Sequence, residues 1–269
     1  PFGTGHLLAW SWGDGPTTFL VHGWGSSAGC MTSFVEPLVG SGYSVVAFDA
    51  PGHGQSDGKT SSVVEISSAL RAVTEWTAAA DQVRGHAGAI GHSIGGVAIA
   101  LAVHEGMGLK RAVFIATPAD LEAPSQEFAG RTGLSPEVIG RMQQRVETRL
   151  GITWRDLGVP RLAPSTPLPL LVVHDKADTA VPVAAAATIV ESWPGAKRFT
   201  TEGLGHHRIV NDPEVVRRSV QFLTRAAERR IAPAQNPRGA ASLTSVAGRT
   251  ENHRTPRGRP KAAQWERVP

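Results

Sequence analysis

Cysteine is almost absent: Cys30 stands alone in 269 residues, which excludes an intrachain disulfide. That scarcity fits a reducing cytoplasm, the expected location. Long apolar runs are missing too. None reaches the roughly 18 residues that a membrane span requires, so no membrane span is expected. Near Pro1 there is no basic stretch followed by an apolar run and a small-residue cleavage site, so no secretory signal is read. What remains is ordinary for a soluble globular protein, with 41% hydrophobic and 19% charged residues. The length suits one large domain, with or without a small insertion, and a sizeable buried core.

Acidic charge is scarce only at one end. The formal net charge of +4 suggests nucleic acid or membrane binding at first sight. Residues 225–269, however, hold ten Lys/Arg against three Asp/Glu, leaving 17 basic and 20 acidic residues in 1–224. The body is therefore mildly acidic and the basic character belongs to the tail. Residues 231–269 are rich in Pro, Gly, Arg, Ser and Thr with few large apolar side chains, so they are expected to be disordered. No nucleic-acid partner is expected.

Short apolar runs bounded by Gly, Pro or polar residues read as strands at 17–22, 43–48, 87–90, 109–116 and 168–173. Helical stretches lie between and after them, at about 29–40, 61–80, 94–106 and 183–193. A last helix is expected over 213–229, with Asp212 as N-cap and Pro213 in the first turn. Strands alternating with helices predict a mostly parallel sheet covered on both faces. Residues 6–12 read as an earlier strand next to the first parallel one, with a place for a further N-terminal strand beside it. Residues 117–167 break the rhythm and carry a helical patch at 135–150 with Ser135 as N-cap. They read as a small lid, the alternative being a long connection. The expected organisation is thus a domain over 1–230, with the insertion at 117–167, and a basic tail over 231–269.

The sequence Gly91-His92-Ser93-Ile94-Gly95-Gly96 follows an apolar strand and precedes a helix. This is the Gly-x-Ser-x-Gly nucleophile elbow in its proper context, a tight strained turn that lifts a serine hydroxyl clear of the sheet. A serine needs a base within hydrogen-bond reach, and the base needs an orienting acid. Downstream, His174-Asp175-Lys176-Ala177-Asp178 ends one strand and Gly203-Leu204-Gly205-His206-His207 forms a later turn. The order Ser, Asp, His is the one this elbow demands.

Over about residues 6–224 the chain resembles the α/β-hydrolase family. The resemblance implies Ser93 as nucleophile. It implies Asp178 as acid, because Val181-Pro182 follow it as in the family. Asp175 is the competitor; it stands where the family commonly has Gly and reads as a turn cap. The Gly-x-Gly-His turn implies His206 as base over the adjacent His207. His22-Gly23-Trp24-Gly25 resembles the family's oxyanion loop. With it come two donors, the N–H groups of Trp24 and Ile94. Trp24 and His92 are the candidate substrate contacts, the Trp24 ring lining an acyl pocket or else packing in the core. His22 reads as a brace for the loop. Asp49-Ala50-Pro51-Gly52-His53-Gly54-Gln55-Ser56-Asp57 resembles a structural turn of the family, with Asp49 bonding to nearby backbone. His53 and Asp57 lack companions with metal-ligand spacing, so no metal and no cofactor are expected.

The resemblance implies a serine hydrolase that cleaves a small or short-chain carboxylic ester through an acyl-enzyme. Thioesterase, amidase and perhydrolase activities share the same triad. The reading from a different class is a non-catalytic ligand-binding protein that kept the fold. The sequence leaves acyl length, alcohol and oligomeric state open.

Overall fold

A computed structural model describes residues 5–80, 86–163, 168–231 and 261–264. The elements in chain order are β1 (Leu8–Trp12), β2 (Thr17–Val21), a 3-10 turn (Ala28–Phe34), α1 (Val35–Gly40), β3 (Ser44–Phe48) and α2 (Val63–Ala80). They continue with β4 (His86–His92), α3 (Ile94–His104), β5 (Arg111–Ile115), α4 (Glu122–Thr132), α5 (Pro136–Leu150) and α6 (Val159–Leu162). Then follow β6 (Leu170–Asp175), α7 (Ala184–Ser192), β7 (Lys197–Thr201), α8 (Gly205–Arg208), a 3-10 turn (Ile209–Asn211), α9 (Pro213–Ile231) and β8 (Lys261–Gln264).

One sheet runs in the order β7-β6-β5-β4-β2-β3-β1-β8. Strands β2 to β7 are parallel, and β1 and β8 are antiparallel to their neighbours. Every residue of β2, β3 and β6 is buried. Successive side chains point to opposite faces, and each face has its own core. Phe19, Phe48 and Phe114 pack with α2, α3, α6 and α7 on one side. Leu20, Val45 and Val113 pack with the first 3-10 turn, α1 and α9 on the other. This is the α/β-hydrolase fold, a mostly parallel sheet with helices on both faces.

The helix signals work as local chemistry dictates. Asp212 Oδ1 accepts from the amides of Glu214 and Val215 and caps α9. The Ser135 side chain accepts from Val138 N and caps α5. The segment between β5 and β6 carries three helices, α4, α5 and α6.

Three expectations need correction. The 8–12 strand does not lie next to the first parallel strand. Both edges of β2 are taken by β3 and β4, so β1 pairs with β3. The strand β7 was not foreseen: Lys197 and Arg198 are exposed on an edge, where apolar patterning fades. Within the basic tail, residues 261–264 are a strand on β1 rather than disordered. The edge of β1 presents unpaired backbone groups that template such pairing. The rest of the tail, 232–260 and 265–269, lies outside the described residues. Among the described residues no helix is long and apolar enough to cross a membrane.

Candidate active site

Ser93 follows β4 directly and precedes the first residue of α3. Its φ of 53° and ψ of −125° are the strained geometry of an elbow. The turn is possible only because it has no side chains at its crossings. A Cβ on Gly91 would fall 2.5 Å from the amide N of Gly96, and one on Gly95 would fall 2.4 Å from the carbonyl O of Val21. The Ser93 amide donates to the carbonyl of Ile115 on β5 and pins the elbow to the neighbouring strand. Ile94, as the first residue of α3, has no carbonyl one turn back to receive its N–H.

His206 reaches this point from the far end of the chain. Its Nε2 lies 3.1 Å from Ser93 Oγ, and its Nδ1 lies 2.8 Å from Asp178 Oδ2. A carboxylate only accepts, so Nδ1 carries the proton and Nε2 is left to accept from the serine hydroxyl. Asp178 is 8% exposed. Its Oδ1 accepts from the amides of Ala180 and Val181. Burial opposes its ionisation. Hydrogen bonds from His174, His206 and the Val181 amide outweigh that and hold the carboxyl well below the usual carboxylate range. The structure thus brings Ser93, His206 and Asp178 together. Asp175 and His207 are left out of the chain: Asp175 is wholly buried behind the His206 turn, and His207 is exposed.

The loop that opens at His22 lies against the elbow. A Cβ on Gly23 would sit 3.0 Å from Ser93 Cβ. His22 Nε2 accepts from the Ala50 amide, which fixes the tautomer, and Nδ1–H then donates to the Gly23 carbonyl at 2.7 Å. In a trans peptide the C=O and the following N–H point in opposite directions. Holding the Gly23 oxygen therefore also sets the direction of the Trp24 N–H. His53 repeats the device: Nε2 accepts from the Gly25 amide and Nδ1–H donates to the Pro51 carbonyl. Asp49, at the foot of both, takes the amides of Ala28 and Gln55. The Trp24 ring is 60% exposed, so core packing does not explain it.

His92 corrects one expectation. It is 4% exposed and donates through Nε2 to the His206 carbonyl, so it offers a substrate almost no surface. Burial, then the neighbouring His206, push its pKa down to about 3, which keeps it neutral. Its place is a strut between the elbow and the turn bearing His206. His174, not singled out from sequence, lies wholly buried with Nε2 3.0 Å from the Val181 carbonyl and 3.4 Å from Asp178 Oδ2. Both neighbours accept, so Nε2 bears the proton. The one available signal was two consecutive polar residues, His174 and Asp175, closing an otherwise apolar strand. Asp57 accepts from the His6 amide and ring. Among the described residues no group of His, Cys, Asp or Glu is arranged to hold a metal ion.

Comparison with known proteins agrees with this architecture. An esterase of Pyrococcus furiosus is 24% identical, with a TM-score of 0.65 over 82% of this chain and 86% of that one. A monoacylglycerol lipase of Paleococcus ferrophilus is 23% identical, with a TM-score of 0.63 over 81% and 98%. Est1E of Butyrivibrio proteoclasticus, solved with ferulic acid bound, is 19% identical, with a TM-score of 0.63 over 85% and 96%. No curated protein sequence gives a significant match. The family model described as "Serine aminopeptidase, S33" matches residues 16–159, more than half of the chain. With that match and this fold, the chain belongs to the S33 serine aminopeptidase-like family of α/β hydrolases.

Proposed function

We propose that the protein is a serine hydrolase that cleaves a carboxylic ester of a small or short-chain substrate through an acyl-enzyme. The observation that carries this reading is the unbroken hydrogen-bond chain from Ser93 Oγ through His206 to Asp178. His206 Nε2 takes the proton as Ser93 Oγ attacks the carbonyl carbon. Asp178 holds the reactive tautomer and stabilises the imidazolium. The N–H groups of Trp24 and Ile94 stabilise the oxyanion. As the tetrahedral intermediate collapses, the carbon–oxygen bond to the alcohol breaks and the alcohol leaves with the His206 proton. Water then attacks the acyl-serine, gives its proton to His206, and the acid departs as Ser93 regains its hydrogen. No cofactor enters these steps.

The ester reading is supported by the esterase and lipase names of the similar structures. The amide reading is favoured by a different observation, the aminopeptidase name of the matched family. Under this reading the insertion that carries α4 to α6 is the lid in either case, and the exposed Trp24 side chain is a substrate contact. A panel of p-nitrophenyl esters from acetate to palmitate, with a thioester and an aminoacyl p-nitroanilide beside it, separates these bonds. The expected result is fastest turnover of the short esters, abolished in Ser93→Ala with the fold intact. Full ester turnover in that variant contradicts the assignment, and turnover of the anilide alone replaces ester by amide.

A further inference from the structure

We infer that Asp175 is a positioning residue for the general base, holding the backbone of the turn that carries His206. The inference rests on the triad reading given above. Asp175 is wholly buried at the end of β6, three residues before the acid Asp178. Its carboxylate is saturated. Oδ1 accepts from the amides of Ala177 and Gly205 at 2.9 and 3.0 Å, and Oδ2 accepts from Thr201 Oγ1 and the Leu204 amide at 2.7 and 3.1 Å. Two bonds on each oxygen use the full acceptor capacity of the group. Three of the four donors belong to the segment 201–205 that ends at the base. Burial alone works against the charge, but these donors hold the carboxyl below its ordinary range, so the clamp is an anion.

The same turn is gripped from its other side. Arg208 donates to the carbonyls of Gly203 and Leu204 at 2.6 and 3.1 Å. With amides fixed by Asp175 and carbonyls by Arg208, little freedom is left in the backbone ahead of His206. Two aspartates of one loop therefore divide the task. Asp178 orients the imidazole, and Asp175 places the backbone from which that imidazole extends. Misplacing a reacting group by about 1 Å costs on the order of a hundredfold in rate.

The test is Asp175→Asn, with Thr201→Val as the milder variant that removes one donor and leaves the anion. In Asn one acceptor oxygen becomes an NH2 that faces donors, so the grip is lost on one side. The expected result for Asp175→Asn is a kcat lowered about a hundredfold with KM changed less than threefold. Fluorophosphonate labelling of Ser93 should slow in proportion, and amide exchange across 203–206 should quicken. Thr201→Val should lower kcat about three- to tenfold, and Thr201→Ser should restore it. A purely structural role would lower Tm and leave kcat of the folded protein within threefold, and that result overturns the inference. If Asp175→Asn does not fold, an unchanged kcat in Thr201→Val overturns it instead. Ser93→Ala and His206→Ala assayed alongside separate the two claims. If both are inactive while Asp175→Asn is normal, only the positioning role fails; if both stay active, the triad reading fails and the inference with it.

Discussion

Ser93 sits at positive φ with its amide held by the Ile115 carbonyl of β5, and its neighbours are set by hydrogen bonds that leave few alternatives. Asp178→Asn keeps the volume but turns an acceptor-only group into one that can donate, which favours the wrong tautomer of His206. Steady-state kinetics should show kcat lowered by about 10⁴-fold; a loss under tenfold would remove Asp178 from the role. His22 acts one bond further from the chemistry. In His22→Phe nothing holds the Gly23 carbonyl, so the Trp24 N–H loses its fixed direction. One oxyanion donor is worth about 10²-fold or more in rate, so kcat should drop by that order while KM stays nearly level. An unchanged kcat would mean that the loop is set by His53 and Asp49 alone.

At the scale of elements, the elbow depends on α3 crossing β2 at a distance that only hydrogen atoms allow. Gly95→Ala puts a methyl group 2.4 Å from the Val21 carbonyl and 2.7 Å from that of His22. The helix must shift, at a cost of about 1–3 kcal/mol by the usual measure of overpacking. Urea unfolding should show that loss together with impaired turnover; wild-type stability would contradict the packing account. The buried strands and the elbow were legible in the sequence because continuous apolar runs and glycines at fixed spacing are local signals. The lesser elements were not. The edge strand β7 has the polar sequence Lys-Arg-Phe-Thr-Thr, α4 contains Pro124 and little apolar periodicity, and α8 is a single turn. Pairing of β1 with β3 was hidden for another reason, since strand neighbours follow from the whole sheet order. That Ser93, His206 and Asp178 would converge could be read from motif and order. The contacts of His92, His174 and Asp175 could not, because each depends on a partner that only the fold brings near.

For the molecule as a whole, the buried neutral histidines make stability depend on pH. His92 titrates near 3 in the folded chain against an ordinary 6.5. Burial, with His53 nearby, lowers His22 as well. Between those values the unfolded chain binds protons that the folded chain refuses, so stability falls as pH drops from about 6.5 toward 3. For His92 the slope approaches about 1.4 kcal/mol per pH unit. Urea midpoints measured at pH 7, 5.5 and 4.5 should fall in that order, and a flat series would contradict the buried neutral state. Removing residues 232–269 tests the far edge of the sheet. β8 stands four strands from β4, so the shortened chain should keep kcat within about twofold; a large loss would show that the tail supports the site.

The central claim is a covalent acyl group on one serine oxygen. Rapid-quench mass spectrometry during turnover of p-nitrophenyl acetate, followed by peptide mapping, reads it directly. The account predicts an acetyl group on the peptide containing Ser93, which is missing in Ser93→Ala and strongly reduced in His206→Ala. Turnover at the full rate with no acylated peptide, or with the acetyl group on another residue, would contradict it.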